Sequence, residues 1–595
     1  MRISAQHLIG RMTLFARGFA RGGATYVVVG VLLGLSMLLL AVYSINVFVG
    51  YAYVTIGRVS FWIEKPLEAV ARSLAIASLV LALISLILLT FTLGFRPLLS
   101  ISYAALVLLS FFLSPPLVLI PLAILLIVSL SAMRGCSSCL NGFVMGLIYS
   151  IAGVEIVVLL YNVALLAGFR LPWLSSIVSF ELCSWALLWP LAIAILLLSS
   201  AILLLRFGLG IGGGDVARGS SAGGTIFAVA SVMLATIMGL VGYMPTVNSY
   251  GAPLNVDWAF YYDALQRMLA SSNPFAEAFR AWPVYGDRPL YMILLYIVSK
   301  TLSIDPKTLC LYHNIFLFQL YALSTYFMTR KLLGEYIARY AALIAVATPN
   351  IASFVYGGFQ ADLFTLSLMQ FAIGLAYTPS LRSLVAVSML SLVALLTHVY
   401  TWVHFAALFI VNAVAMLVLS LYRRDFDRRS VIMMLSMVLL VVVGVVSDAG
   451  VSFFLGKLRL ISIEYFWNQV VSGLKSLKQL NFHRLWSDME FYMNIYTGGS
   501  LNNPLYWLLF AISTLLTPIN TGIISYTYAS TAIAVAMFAI NPLYAYRMLI
   551  NTPTAPIVAA GMSRLGKWER ALIIVSLYSV ALTKTLSFIP GLKLP

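Results

Sequence analysis

Uninterrupted apolar runs of helical length recur along this sequence, as in TYVVVGVLLGLSMLLLAVYSINVFV (25–49) and VIMMLSMVLLVVVGVVSDAGVSFFL (431–455). A helix needs about 20 predominantly apolar residues to cross the hydrocarbon core of a bilayer. By that criterion about 15–17 stretches qualify, so the expected fold class is all-α, a polytopic transmembrane helix bundle. Composition excludes the soluble alternative: 62% of residues are hydrophobic and 9% charged, against roughly 25% charged in an ordinary soluble domain.

The formal charge of +17 does not mark a nucleic-acid-binding domain, because the basic residues are scattered among short inter-helix loops. They follow the positive-inside rule instead, with Arg2, Arg11, Arg17 and Arg21 forming a cytoplasmic lead-in rather than a cleavable signal peptide. Among the four cysteines, Cys136 and Cys139 form one CxxC, with no second CxxC or adjacent His to complete a metal or redox site.

Placing basic loops in the cytoplasm orders the chain. Residues 1–205 are expected to form an accessory bundle of six spans, each of about 20 residues. RFGLGIGGGDVARGSSAGG (206–224) follows as a cytoplasmic linker; its glycines trail a membrane helix and lack the GK[ST] of a phosphate loop. A membrane module then occupies 225–595, with outer loops at 245–308 and 456–500. The first of these loops holds two segments suited to interfacial helices, VDWAFYYDALQRMLA and PLYMILLYIVSKTL. Arg330, Lys331 and Arg339 mark a cytoplasmic turn, which puts YGGFQAD (356–362) and THVYTWVH (397–404) outside; LYRRDFDRRS (421–430) is the strongest inward signal.

The outer side therefore collects Asp257, Asp263, Arg288, Asp362, His398, His404 and Arg547 beside membrane helices. Ionisable groups at such depth are costly and point to function. Simpler roles exist for each: Asp257, Asp263 and Asp362 suit helix starts, and Arg547 can snorkel from a helix end or bind phosphate through its planar fork. Asp257 and Asp263, six apart at about 100° per residue, point to different faces. His398 and His404 lack the i, i+4 spacing of a zinc pair; His398, with Tyr400 and Trp402 close by, suits an aromatic ligand pocket.

In their order these features resemble the GT-C class of polytopic glycosyltransferases, which includes protein mannosyltransferases, aminoarabinose transferases and the catalytic subunit of oligosaccharyltransferase. The likeness is clearest over residues 225–400 and continues weakly to 562. A span leads into an outer loop with an acid and aromatics (Asp257, Phe260, Tyr261, Tyr262), then a proline-started helix (RPLYMILLYIVSKTL). A helix ending in a basic pair (YFMTRKLLGEYIARYAALIAVATP), an outer acidic loop (GGFQAD) and an arginine helix (YRMLINTPTAPIVAAGMSRLG) complete it. The first loop departs from the class in having no clear DxD, the N-terminal bundle is additional, and the soluble C-terminal domain of some members has no counterpart.

The resemblance implies transfer of a sugar from a polyprenyl- or dolichyl-phosphate donor to an acceptor at the outer face of the cell membrane, with the donor's tail in the bilayer. Asp257 would be the general base, and Arg547 and Arg288 would stabilise charge on the departing lipid phosphate. Asp362 would orient the acceptor, Asp263 would contact substrate, and His398, Tyr400 and Trp402 would line the pocket. A divalent cation such as magnesium or manganese is left open, with Asp257 and Asp362 as its ligands if one binds. The competing expectation is a multi-pass transporter or lipid flippase, which would use outer carboxylates and a mid-span Glu155. Against it stand the absence of a repeat between the halves and the gathering of polar residues at one face.

Overall fold

The computed structural model describes residues 26–32, 35, 52–56, 59–63, 80, 81, 84, 137–171, 199, 224–280, 288–378, 380–423, 428–455, 471, 503–516, 530, 534 and 542–589. All of the linker expected at 206–224 except Gly224, which opens a helix, most of the N-terminal bundle and nearly all of the outer loop at 456–500 lie outside them. The described chain is helical, with one departure from the all-α expectation: β1 (Ala52–Ile56) and β2 (Val59–Ile63) pair antiparallel, Ala52 opposite Ile63.

Among the described residues three helices are long and apolar enough to cross a membrane: Gly142–Leu166, Gly224–Tyr243 and Lys567–Ser587. The first lies within α1 (Ser137–Leu166), the second is α2 (Gly224–Leu240) with the 3-10 turn that follows, and the third is the last helix of the chain. Shorter apolar helices accompany them at Pro289–Leu302, Leu381–Thr397, Val399–Val411, Met434–Gly450 and Leu505–Thr514.

Residues 26–32 cross α1 at two glycines. A β-carbon on Gly146 would sit 2.2 Å from Val27 O and 2.7 Å from Gly30 Cα, and one on Gly30 would sit 2.2 Å from Phe143 O. Both obstacles are backbone, so neither can swing aside, and the contact is of the small-residue kind that lets membrane helices approach closely. Gly146→Leu is expected to destabilise the fold by about 3 kcal/mol or more, seen as loss of the monodisperse peak in detergent gel filtration. Elution and melting like wild type would rule this crossing out.

After α2 come α3 (Trp258–Ala270), α4 (Pro274–Ala278), α5 (Pro289–Leu302) and α6 (Pro306–Tyr312). Proline at the first helical position starts α5 and α6, where its missing N–H costs nothing, and Asp305 caps α6 by accepting from Thr308 N at 2.9 Å. The long helix α7 (Asn314–Leu333) follows, then a returning pair, α8 (Glu335–Ala345) and α9 (Pro349–Gly357), and then α10 (Gln360–Ala376).

Polar contacts show that α7 and α10 run side by side in the same direction. Gln360 donates to Cys310 O at 3.4 Å near one end, and Ser324 and Thr325 donate to Gln370 Oε1 at 2.7 and 3.0 Å midway. Further on, a β-carbon on Gly374 would lie 3.3 Å from Met328 Cα. The two helix starts therefore share one end of the bundle. The other end lies about 30 Å away along the 20 residues of α7, at 1.5 Å per residue.

The far end is basic. Glu335 holds Arg330 at 2.8 Å and Arg339 at 3.5 Å and accepts from Tyr326 at 2.6 Å, while Arg570 donates to Tyr336 and Tyr340. The start of α2 reaches this cluster, since a β-carbon on Gly224 would touch Glu335 Oε1. Its continuation meets the opposite end, where the tilted rings of Tyr243 and Tyr312 lie 5.0 Å apart.

The chain closes through α11 (Leu381–Thr397), α12 (Val399–Arg423), α13 (Arg428–Leu455), α14 (Pro504–Leu516), α15 (Pro542–Ile550), α16 (Ala555–Met562) and α17 (Lys567–Ser587). Helices α1 and α17 are bound together along their length. Tyr149 donates to Glu569 at 3.2 Å, Ser579 to the carbonyl of Glu155 at 2.6 Å, and Asn162 to Thr583 at 2.6 Å.

Candidate functional site

Three local devices build the end of the bundle where α7 and α10 begin. The turn between α9 and α10 passes through Gly358 at φ +67°, left-handed backbone that a residue with a β-carbon adopts at a cost. Segment 255–257 lies against this turn, Val256 N donating to Tyr356 O at 2.9 Å. A β-carbon on Gly358 would meet Asn255 Oδ1 at 2.7 Å and Asp257 Cβ at 3.0 Å, so glycine is required for the close approach as well. Second, His398 is extended (φ −159°, ψ 99°) and breaks the chain between α11 and α12. Third, Asn350 donates to Ile550 O at 2.8 Å and Tyr506 bonds Thr554 at 2.6 Å, fixing the α15–α16 corner above α9.

Asp362, 1% exposed in the first turn of α10, is the centre of the result. The Thr401 hydroxyl donates to its Oδ1, Asn551 hydrogen-bonds it, and Arg547 and Arg288 act on it electrostatically. The same hydroxyl lies 2.7 Å from His398 Nδ1, which is also 3.2 Å from Thr401 N. Arg547 lies over the rings of Phe359 (5.3 Å) and Tyr400 (5.6 Å), a stacking geometry suited to guanidinium.

Arg288, 4% exposed at the start of α5, donates to Tyr261 Oη at 2.6 Å. Burial pushes the Tyr261 phenol up to about 12 although Arg288 pulls it down, so it stays neutral at physiological pH. Asp257 occupies the cap position of α3, yet its side chain makes no capping hydrogen bond, which removes the simplest structural reason for a carboxylate there. It is half-buried and acts electrostatically on Tyr261.

Thus Asp257, Arg288, Asp362, His398, Tyr400 and Arg547 gather at one end. Two other candidates do not. Asp263 lies on the exposed face of α3, 2.6 Å from Arg267 in an i, i+4 pair. Trp402 is one helical step past Thr401 and faces the other way: its Nε1 donates to Ser391 at 2.8 Å, and its ring fills the space beside Gly444. It holds α12 to α11 and α13. Thr401 and Asn551 are not among the residues the sequence points to, and Tyr261 enters there only as one of the first loop's aromatics. The signal for the first two was spacing, since Thr401 follows His398 by three residues at the start of α12 and Asn551 follows Arg547 by four at the end of α15, about one helical turn in each case.

His404, a turn beyond Thr401, is buried and bonds Ser530 at 3.0 Å. With Tyr400, Thr401, Arg547, Met548 and Asn551 it lines a cavity of about 30 Å³, room for about one water. A second cavity, about 580 Å³, is a shallow depression at the opposite end, lined by Tyr377, Thr378 and Arg382 among others; it holds none of the clustered groups.

The donor set does not suit magnesium or manganese. A hard divalent cation takes about six oxygen ligands, whereas Asp362 is flanked by two guanidinium groups and spends its oxygens on Thr401 and Asn551. Among the described residues no three His, Cys, Asp or Glu side chains converge on one point.

No protein-family model matches this chain, and no curated protein matches it.

Proposed function

We propose that the chain is an integral membrane glycosyltransferase of the GT-C kind, moving a sugar from a polyprenyl- or dolichyl-phosphate donor to an acceptor at the outer face of the membrane. This reading includes about 15–17 spans, a cytoplasmic N-terminus and a site on the outer side. One observation carries it. Two carboxylates and two guanidinium groups from four separate segments (Asp257, Arg288, Asp362, Arg547) meet at the end of the bundle opposite the basic turn at Arg330 and Arg339.

In this chemistry Asp257, the more accessible carboxylate, accepts the proton of the acceptor group as that group's oxygen or nitrogen bonds to the anomeric carbon. The bond from that carbon to the phosphate oxygen breaks, and the lipid phosphate departs with the electron pair. Arg288 and Arg547 meet the charge that develops there, while Asp362 balances them and Thr401 and Asn551 fix its orientation. The small cavity beside Arg547 means that this end must open to admit a sugar.

The test is transfer of radiolabel from mannosyl- and glucosyl-polyprenyl phosphates to acceptors in a membrane extract, using membranes that contain the chain. Label is expected to reach the acceptor, equally for wild type and Asp263→Asn, because Asp263 faces away from the cluster. Passage of the intact donor across proteoliposomes with no bond broken would replace this reading with a flippase.

A further inference from the structure

We infer that Asn255 is a sugar-recognition residue of this same site, its carboxamide hydrogen-bonding a ring hydroxyl of the lipid-linked donor. The inference rests on the glycosyltransferase reading. Asn255 is completely buried, and neither its Nδ2 nor its Oδ1 has a hydrogen-bond partner among the described residues. Buried side-chain polar groups are almost always paired, because water's hydrogen bonds are lost on burial. A carboxamide with both ends unmatched is therefore unexpected in a segment that serves only packing, where a residue of similar size without polar atoms does better.

Its position indicates the ligand. Asn255 Oδ1 and Asp257 Cβ both lie within 3.0 Å of the point where a β-carbon on Gly358 would stand, so the carboxamide neighbours the base rather than a distant wall. The turn is shaped around it: Gly358 has the left-handed backbone and the missing side chain that leave Asn255 its room. A carboxamide donates through nitrogen and accepts through oxygen, which matches a hydroxyl, itself both donor and acceptor. The anomeric carbon must lie between the group deprotonated by Asp257 and the phosphate held by Arg288 and Arg547. A ring hydroxyl next to that carbon comes within reach of a residue beside the base. Asn255 holds no charge and moves no proton; it selects the ring.

The experiment compares binding of two lipids to the full chain in nanodiscs: polyprenyl phosphate carrying the hexose that wild type transfers, and bare polyprenyl phosphate. Asn255→Ala is expected to weaken binding of the sugar-bearing lipid roughly tenfold and to leave the bare phosphate unchanged, which also shows that the variant folds. Asn255→Gln, which keeps the chemistry but moves the carboxamide outward, is expected to fall between. Equal weakening for both lipids, or none for the sugar-bearing one, overturns the inference while leaving the transferase reading in place. A wild-type chain that binds neither lipid and transfers no sugar overturns both.

Discussion

Asp257→Asn is expected to lower sugar transfer by roughly a thousandfold at saturating donor, the scale of a lost general base. The substitution keeps size and shape, and because Asp257 makes no side-chain cap at the start of α3, no helix-capping bond is lost with it. The loss should therefore appear in kcat with donor binding retained, since the phosphate contacts assigned to Arg288 and Arg547 lie on other segments. Initial rates across a donor titration distinguish the cases. Full retention of transfer would remove Asp257 from the chemistry and shift attention to Asp362.

Asp362→Ala is expected to act on the fold as much as on the reaction. Removing a carboxylate from between the buried Arg288 and the half-buried Arg547 leaves charge without compensation, which costs up to about 3–5 kcal/mol. Arg288 is 4% exposed and Asp362 1%, so water cannot take over that role. Thr401 and Asn551 lose their acceptor as well. Fluorescence-detected melting in detergent should show a large fall in Tm, with Asp362→Asn in between because its carboxamide still accepts from Thr401. A melting temperature unchanged in Asp362→Ala would mean that the two arginines find their balance elsewhere.

Much of this arrangement was legible in the sequence as a matter of sides, and little of it as a matter of contacts. Alternating apolar runs with basic turns put Asp257, Arg288, Asp362 and Arg547 on one face, because a helix of given length has only two ends. Which side chains then meet depends on angle around each helix. Thr401 and Trp402 are neighbours in the chain but about 100° apart around the axis, so one bonds Asp362 while the other fills the space beside Gly444. Asp263 reads as Asp257 does in composition, and only its pairing with Arg267 on the exposed side of α3 separates them. Within α7 the polar Ser324 and Thr325 pair inward with Gln370, a contact that an apolar count does not register.

The fixing of the α15–α16 corner by Asn350 and Tyr506 has a consequence for biosynthesis. Asp257, Arg288 and Asp362 are translated long before Arg547 and Asn551, so a nascent chain already holding the first three has neither the second guanidinium nor the Asn551 bond to Asp362. Docking of that late corner completes the charge balance. The buried Asp362 therefore meets its full set of partners only when the last helices settle.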